Sequence, residues 1–137
     1  VRIYPCLTLK GTHLAALYEK GEYIPQTLKE AIELCCALLQ MFYEADIPVI
    51  KLGLHASEMV ENDLLAGPYH PAFRELCEGR VYLKNAQKAL NEAHTPKGAP
   101  TTLLVGRGCT SKMVGQRKIN VETLTKIGYN IKVYNKY

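Results

Sequence analysis

An α/β fold in two parts is what this sequence predicts, and three observations predict it. Residues 1–5 and 47–54 alternate apolar and polar side chains with the period of two that strands require; a capped, amphipathic helical stretch separates them; and the basic C-terminal region reads strand, helix, helix, strand. In the second run Ile50, Leu52 and Leu54 fall on one side and Lys51, Gly53 and His55 on the other, while Arg2, Tyr4 and Cys6 oppose Val1, Ile3 and Pro5 in the first. With a long helix on the apolar sides, Arg2, Tyr4, Lys51 and His55 line the opposite side, which in a parallel β/α barrel is where substrate and cofactor sit. Edge or solvent-facing strands would show the same alternation, so both readings stand at this point.

After the first strand, Lys10-Gly11-Thr12 makes a turn, and Leu14, Leu17 and Tyr18 recur at helical spacing up to Gly21. Thr27 and Glu30 have the spacing of a capping box, and Leu28, Ile32, Cys35, Leu39 and Phe42 form one stripe, which predicts a helix over 28–44. Asp46-Ile47-Pro48 breaks it and opens the second strand. Residues 55–70 carry no strand pattern and read as a long loop, usually functional or poorly ordered. Pro71 suits the first position of a helix through Cys77 that Gly79 ends, and a second helix is expected over 81–93. The remainder predicts a strand at 101–105, a helix at 111–114, a turn at 115–118, a helix at 119–127 and a strand at 130–134.

The chain has 137 residues, 47% apolar and 22% charged, the profile of a globular protein with a real core. No apolar run approaches the roughly 18 residues of a membrane span, and no signal peptide is visible. The five cysteines, Cys6, Cys35, Cys36, Cys77 and Cys109, have no CxxC or metal-ligand spacing and suit reduced thiols in the cytoplasm. Opening on Val1 inside a strand-like run, the chain reads as a fragment with its N-terminal part missing. Residues 1–79 hold 6 Lys and Arg against 11 Asp and Glu, a balance of −5; residues 80–137 hold 11 against 2, a balance of +9. Two segments with different partners follow, and a basic segment of this kind meets phosphate by releasing condensed counterions. A merely solvated basic surface, or contact with the acidic half, is the alternative.

The order strand-helix-helix-strand, with Val114-Gly115-Gln116-Arg117-Lys118-Ile119-Asn120 between the helices and Ile127-Gly128-Tyr129-Asn130-Ile131-Lys132-Val133 after them, resembles the core of a KH domain. There a GxxG turn clamps a nucleic-acid backbone. Lys118 stands where the second glycine would be. Arg107, Lys112, Arg117 and Lys118 are the phosphate-binding candidates of this region.

Val1-Arg2-Ile3-Tyr4-Pro5, Lys10-Gly11-Thr12, Leu17-Tyr18, Gly21-Glu22-Tyr23, Glu30-Ala31, Val49-Ile50-Lys51-Leu52-Gly53-Leu54 and, most specifically, Ala66-Gly67-Pro68-Tyr69-His70-Pro71-Ala72-Phe73-Arg74-Glu75-Leu76 together resemble the late part of a radical S-adenosylmethionine protein. The resemblance is to bacterial proteins similar to the catalytic subunit of Elongator, often labelled oxygen-independent coproporphyrinogen oxidase-like. It implies late strands and helices of a partial β/α barrel over residues 1–79, followed by a basic βααβ extension over 80–137. It also implies S-adenosylmethionine and an iron-sulfur cluster in the full-length protein, the cluster held by a CxxxCxxC motif. No such spacing occurs here, so none of these cofactors is expected in this chain, which alone should be inactive beside its missing N-terminal part. Tyr4, Cys6, Lys51 and His55 are the cavity-wall candidates, with no chemical role assigned to any of them. The implied substrate is RNA, specifically tRNA; a porphyrinogen is the alternative, and a non-catalytic RNA-binding module is a third reading. His13 and His70 are more often structural in such settings. Cys35 and Cys36 belong to a buried helix, and no Ser-His-Asp order, Gly-rich phosphate loop or HExxH motif is present.

Overall fold

The computed structural model describes residues 1–136 of the chain. They form an α/β chain that divides into two compact units, Val1–Arg74 and the residues from Glu75 onward. In the first unit the order is β1 (Arg2–Ile3), β2 (Thr8–Leu9), α1 (His13–Glu19), α2 (Leu28–Glu44), β3 (Lys51–Leu52), α3 (Glu58–Asp63) and β4 (Leu64–Ala66). β1 pairs parallel with β3 in the register Arg2↔Lys51 and Ile3↔Leu52, and β2 pairs antiparallel with β4. A parallel pair needs a crossover, and α2 supplies its main helix.

Helix α2 begins and ends where its capping box and stripe indicate. The Thr27 hydroxyl accepts from the Glu30 amide and the Glu30 carboxylate accepts from the Thr27 amide, both at 3.1 Å. Ala31, Cys35, Cys36 and Leu39 are buried, while Leu28, Ile32 and Phe42 are half-buried at the margins of the stripe. The strands are shorter than their alternation implies. Only Leu52 of the apolar set in 50–54 is buried; Ile50 and Leu54 are 59% and 39% exposed, because the ladder with β1 spans two residues.

Residues 55–70 are not a loop throughout, since they contain α3 and β4. Ser57 caps α3 by accepting from the Val60 amide at 3.2 Å, and Glu58 and Glu61 in the first turn complement the helix dipole. β4 has three residues, too few to show a period, and its partner lies more than fifty residues away in the chain.

From Phe73 to Glu92 runs a single helix, α4, where the glycine punctuation implies two. Gly79 lies inside it and is buried. An interior glycine costs only about 1 kcal/mol relative to alanine, and tertiary contacts described below outweigh that. Then come β5 (Pro100–Val105), α5 (Thr110–Val114), a 3₁₀ turn (Gln116–Lys118), α6 (Ile119–Ile127) and β6 (Asn130–Asn135). β5 and β6 are parallel, paired from Pro100↔Asn130 to Val105↔Asn135. Leu83, Ala86 and Leu90 of α4, Val105 of β5, Met113 of α5 and Leu124 of α6 form the core, with Leu103, Ile131 and Val133 packed against it. All three helices therefore lie on one face of the β5–β6 sheet, an α/β unit of two layers.

Removing the α2 cap isolates a local contribution. Thr27→Ala should lower unfolding stability by about 1 kcal/mol, read from the midpoint of urea denaturation, whereas Thr27→Ser should stay close to the parent.

Candidate functional site

In the first unit, β1 and β3 set the positions of most of the cavity-wall candidates. Arg2 and Lys51 are register partners, and Tyr4, Cys6, Lys51 and His55 are all exposed. Tyr4 follows Arg2 by two residues, which returns it to the same side of an extended chain. His55 follows the end of β3 by three. Burial first, then the neighbouring Cys6 sulfur, push the Tyr23 phenol up. Tyr23 is the residue of this neighbourhood that alternation did not single out.

The most specific stretch of the resemblance, residues 66–76, proves to be a clamp. Gly67 has φ +115°, and a Cβ there would stand 3.1 Å from the Cys6 carbonyl oxygen and 3.2 Å from Leu7 Cα, so only glycine lets the strands approach. The Tyr69 hydroxyl donates to Glu61 at 3.3 Å, and burial with the Glu61 charge pushes that phenol up. His70 Nδ1 accepts from the Ala72 amide at 2.9 Å, and the His70 carbonyl accepts from Phe73, so His70 is employed in starting α4. Phe73 is buried against Gly53, whose φ is +82°, and the Arg74 guanidinium donates to the Val49 carbonyl at 2.9 Å. His13 is exposed at the first position of α1.

The basic unit gathers a second set around the connection from α5 to α6. Arg107 precedes α5, Lys112 lies in its last turn, and Arg117 and Lys118 form the 3₁₀ turn. Arg107, Arg117 and Lys118 are exposed. Lys112 Nζ meets the nearly buried Glu78 carboxylate at 2.8 Å, so its charge is shared with α4. Arg117 and Lys118 both take left-handed backbone, at φ +53° and +62°. For non-glycine residues this costs of order 1 kcal/mol each and persists only where neighbours enforce it. Lys118 adopts the conformation that a glycine would supply at that place in a GxxG turn.

The enforcing contacts come from Asn120 and Gly115. Asn120 is 2% exposed, and its amide donates to the Gly79 carbonyl at 2.8 Å and to the Lys112 carbonyl at 3.4 Å, tying α6 to α4 and to the end of α5. Gly115 sits at φ +82°, ψ 163°, a region essentially reserved for glycine. Its Lys118 partner donates back to its carbonyl at 3.0 Å. Glu75, Glu78, Ser111, Lys112, Gly115 and Gln116 line an open hollow of about 310 Å³ beside this turn. Sequence reasoning marked the cations but gave no positioning role to Asn120, Glu78 or Gly79; an asparagine at the second position of the helix expected over 119–127 was the available signal.

The Radical_SAM C-terminal domain model matches residues 1–83, and the chain belongs to that family. Over 34 residues, a quarter of this chain, it is 50% identical to a tRNA uridine(34) acetyltransferase of Methanocaldococcus jannaschii; the match spans 6% of that protein's length. No solved structure matches the chain. Radical S-adenosylmethionine proteins hold an iron-sulfur cluster on clustered Cys thiolates. The described residues do not fit one: no three of His, Cys, Asp or Glu converge among them, and Cys35, Cys36 and Cys77 are buried in helices. No described helix is long and apolar enough to cross a membrane.

The conformation at 115 supplies a sharp test. In Gly115→Ala the new Cβ would stand 2.9 Å from Asn120 Cγ and Ile119 Cγ2. Stability should fall by roughly 1–3 kcal/mol in urea denaturation. Gly108→Ala, also at positive φ but with open space around it, should cost the backbone strain alone, about 1–2 kcal/mol, and less than Gly115→Ala.

Proposed function

We propose that this chain is the C-terminal part of a radical S-adenosylmethionine enzyme that modifies tRNA. The observation that carries the reading is the identity shared with a protein whose name states a tRNA uridine as its target, found in a chain of the radical S-adenosylmethionine C-terminal family. Residues 1–79 supply the barrel-type portion and residues 80–137 the basic extension. In the first, Tyr4, Cys6, Lys51 and His55 form the wall facing substrate. In the second, the exposed Arg107, Arg117 and Lys118 hold RNA phosphates, while Lys112, tied to Glu78, sits beside them as part of the scaffold of the turn. The strained turn supports this role, since left-handed backbone at two adjacent cations presents both side chains from one short connection, anchored by Asn120. The cluster and S-adenosylmethionine belong to another part of the polypeptide, which acts in the reducing cytoplasm.

Two experiments test the reading. Anaerobic reconstitution of the 137-residue chain with iron and sulfide should yield no stoichiometric cluster by absorption spectroscopy and no 5′-deoxyadenosine from S-adenosylmethionine; a cluster in this chain would overturn the division of roles. The chain should bind tRNA with strong salt dependence, each phosphate contact adding about 0.7–0.9 to the log-log slope. Replacing Arg117 and Lys118 together by Ala should weaken binding and shrink the slope by about 1.5. Unchanged affinity and slope in the double variant, with a porphyrinogen bound by the full-length protein, would sink the tRNA reading.

A further inference from the structure

We infer that the open face of the β5–β6 sheet is a stacking platform for unpaired nucleotides, separate from the phosphate-binding turn; the inference rests on the RNA reading above. The helices α4, α5 and α6 pack against the face that carries Leu103, Val105, Ile131 and Val133. Strand alternation sends the intervening side chains to the other face. There Thr102, Leu104, Lys132 and Tyr134 are exposed, Leu104 by 66% and Tyr134 by 53%. Leu104 and Tyr134 are register partners, as are Thr102 and Lys132, so an aromatic ring, an aliphatic side chain, a hydroxyl and an ammonium form a two-by-two patch. Lys136 is exposed and follows Tyr134 by two residues, adding a second cation beyond the ring. Leu104, Tyr134, Asn135 and Lys136 line an open hollow of about 560 Å³ at this end of the sheet.

Charge decides what this patch receives. From Glu75 onward the chain carries 11 Lys and Arg against 4 Asp and Glu, and the charged side chains of the open face are both lysines. An apolar protein partner would gain nothing from Lys132 and Lys136 flanking the ring and would have to desolvate them. A polyanion with flat, apolar bases uses both parts, since phosphates meet the lysines while a base stacks on Tyr134 against Leu104. A duplex hides its base faces, so the occupant is single-stranded.

Tyr134 can be made its own reporter, because the chain contains no tryptophan. In the 137-residue chain carrying Tyr134→Trp, titration with a single-stranded RNA of about 12 nucleotides should quench the indole fluorescence, and a blunt duplex of the same sequence should not. In fluorescence anisotropy with that strand labelled, Tyr134→Phe should bind as the parent does. Tyr134→Ala should weaken binding roughly 5- to 150-fold with the salt slope unchanged, its circular dichroism matching the parent. The Arg117/Lys118 double variant should instead reduce the slope. Loss of affinity in the double variant with none in Tyr134→Ala, or equal quenching by duplex, overturns the platform and leaves the tRNA reading standing. No binding of any RNA by the parent chain sinks both. A parent dimer in light scattering that Tyr134→Ala dissociates would show the face to be an interface between copies, and the platform would be wrong.

Discussion

The Asn120 amide donating to the carbonyl of Gly79 is the interaction on which the basic unit depends. A buried carboxamide must have partners, because leaving one unpaired costs about 1–3 kcal/mol. At 2.8 Å from the Gly79 carbonyl and 3.4 Å from that of Lys112, Asn120 finds two, and both are backbone atoms of other helices. Gly79 is a glycine within a helix, and a Cβ there would lie 3.8–3.9 Å from Asn120, Lys112 and Gly115. The helix thus passes closely under the turn. With α6 fixed at one end and Gly115 in its glycine-only conformation at the other, the intervening Arg117 and Lys118 have little choice but left-handed backbone.

A comparable economy governs the first unit. Residues 66–76, which look most like a chemical motif in the sequence, are engaged in structure: Gly67 admits the neighbouring strand, His70 starts α4, Phe73 fills the space above Gly53, and Arg74 reaches the Val49 carbonyl. Specificity of sequence here reflects close packing, where few side chains satisfy several geometric demands at once. The polar residues with room to act are instead on and after the short parallel strands, where Tyr4, Lys51 and His55 are exposed, and at Cys6 beside Tyr23.

Electrostatics separates structural cations from available ones. Lys112 satisfies Glu78, a carboxylate nearly withdrawn from water, and so holds α5 to α4. Breaking such a pair leaves an uncompensated buried charge, so Lys112 is costly to divert. Arg107, Arg117 and Lys118 are exposed beside it, and Lys132 and Lys136 lie on the sheet. Of the eleven cations in residues 80–137, visible from composition, Lys112 is an internal tie, three lie at the turn and two on the sheet, while others such as Lys88, paired with Glu92, and Lys97, over the Tyr129 ring, are engaged elsewhere.

Local signals made much of the architecture legible. The Thr27–Glu30 cap and the apolar stripe bounded α2, and the βααβ order of the basic region, with α6 at 119–127, followed from short-range periodicity and turn residues. These features depend on neighbours within a few residues, which the sequence states directly. The pairing of β2 with β4, the passage of α4 through Gly79 and the left-handed pair at Arg117 and Lys118 depend instead on contacts with residues distant in the chain. The sequence by itself determined α1, α2 and the β5-α5-α6-β6 run, the charge division and the family resemblance. Only tertiary structure decided that α4 runs unbroken through Gly79, that Lys112 is spoken for by Glu78 and that Leu104 and Tyr134 are exposed on the sheet face away from the helices, because each follows from which surfaces meet once the helices have packed on a single side of the sheet.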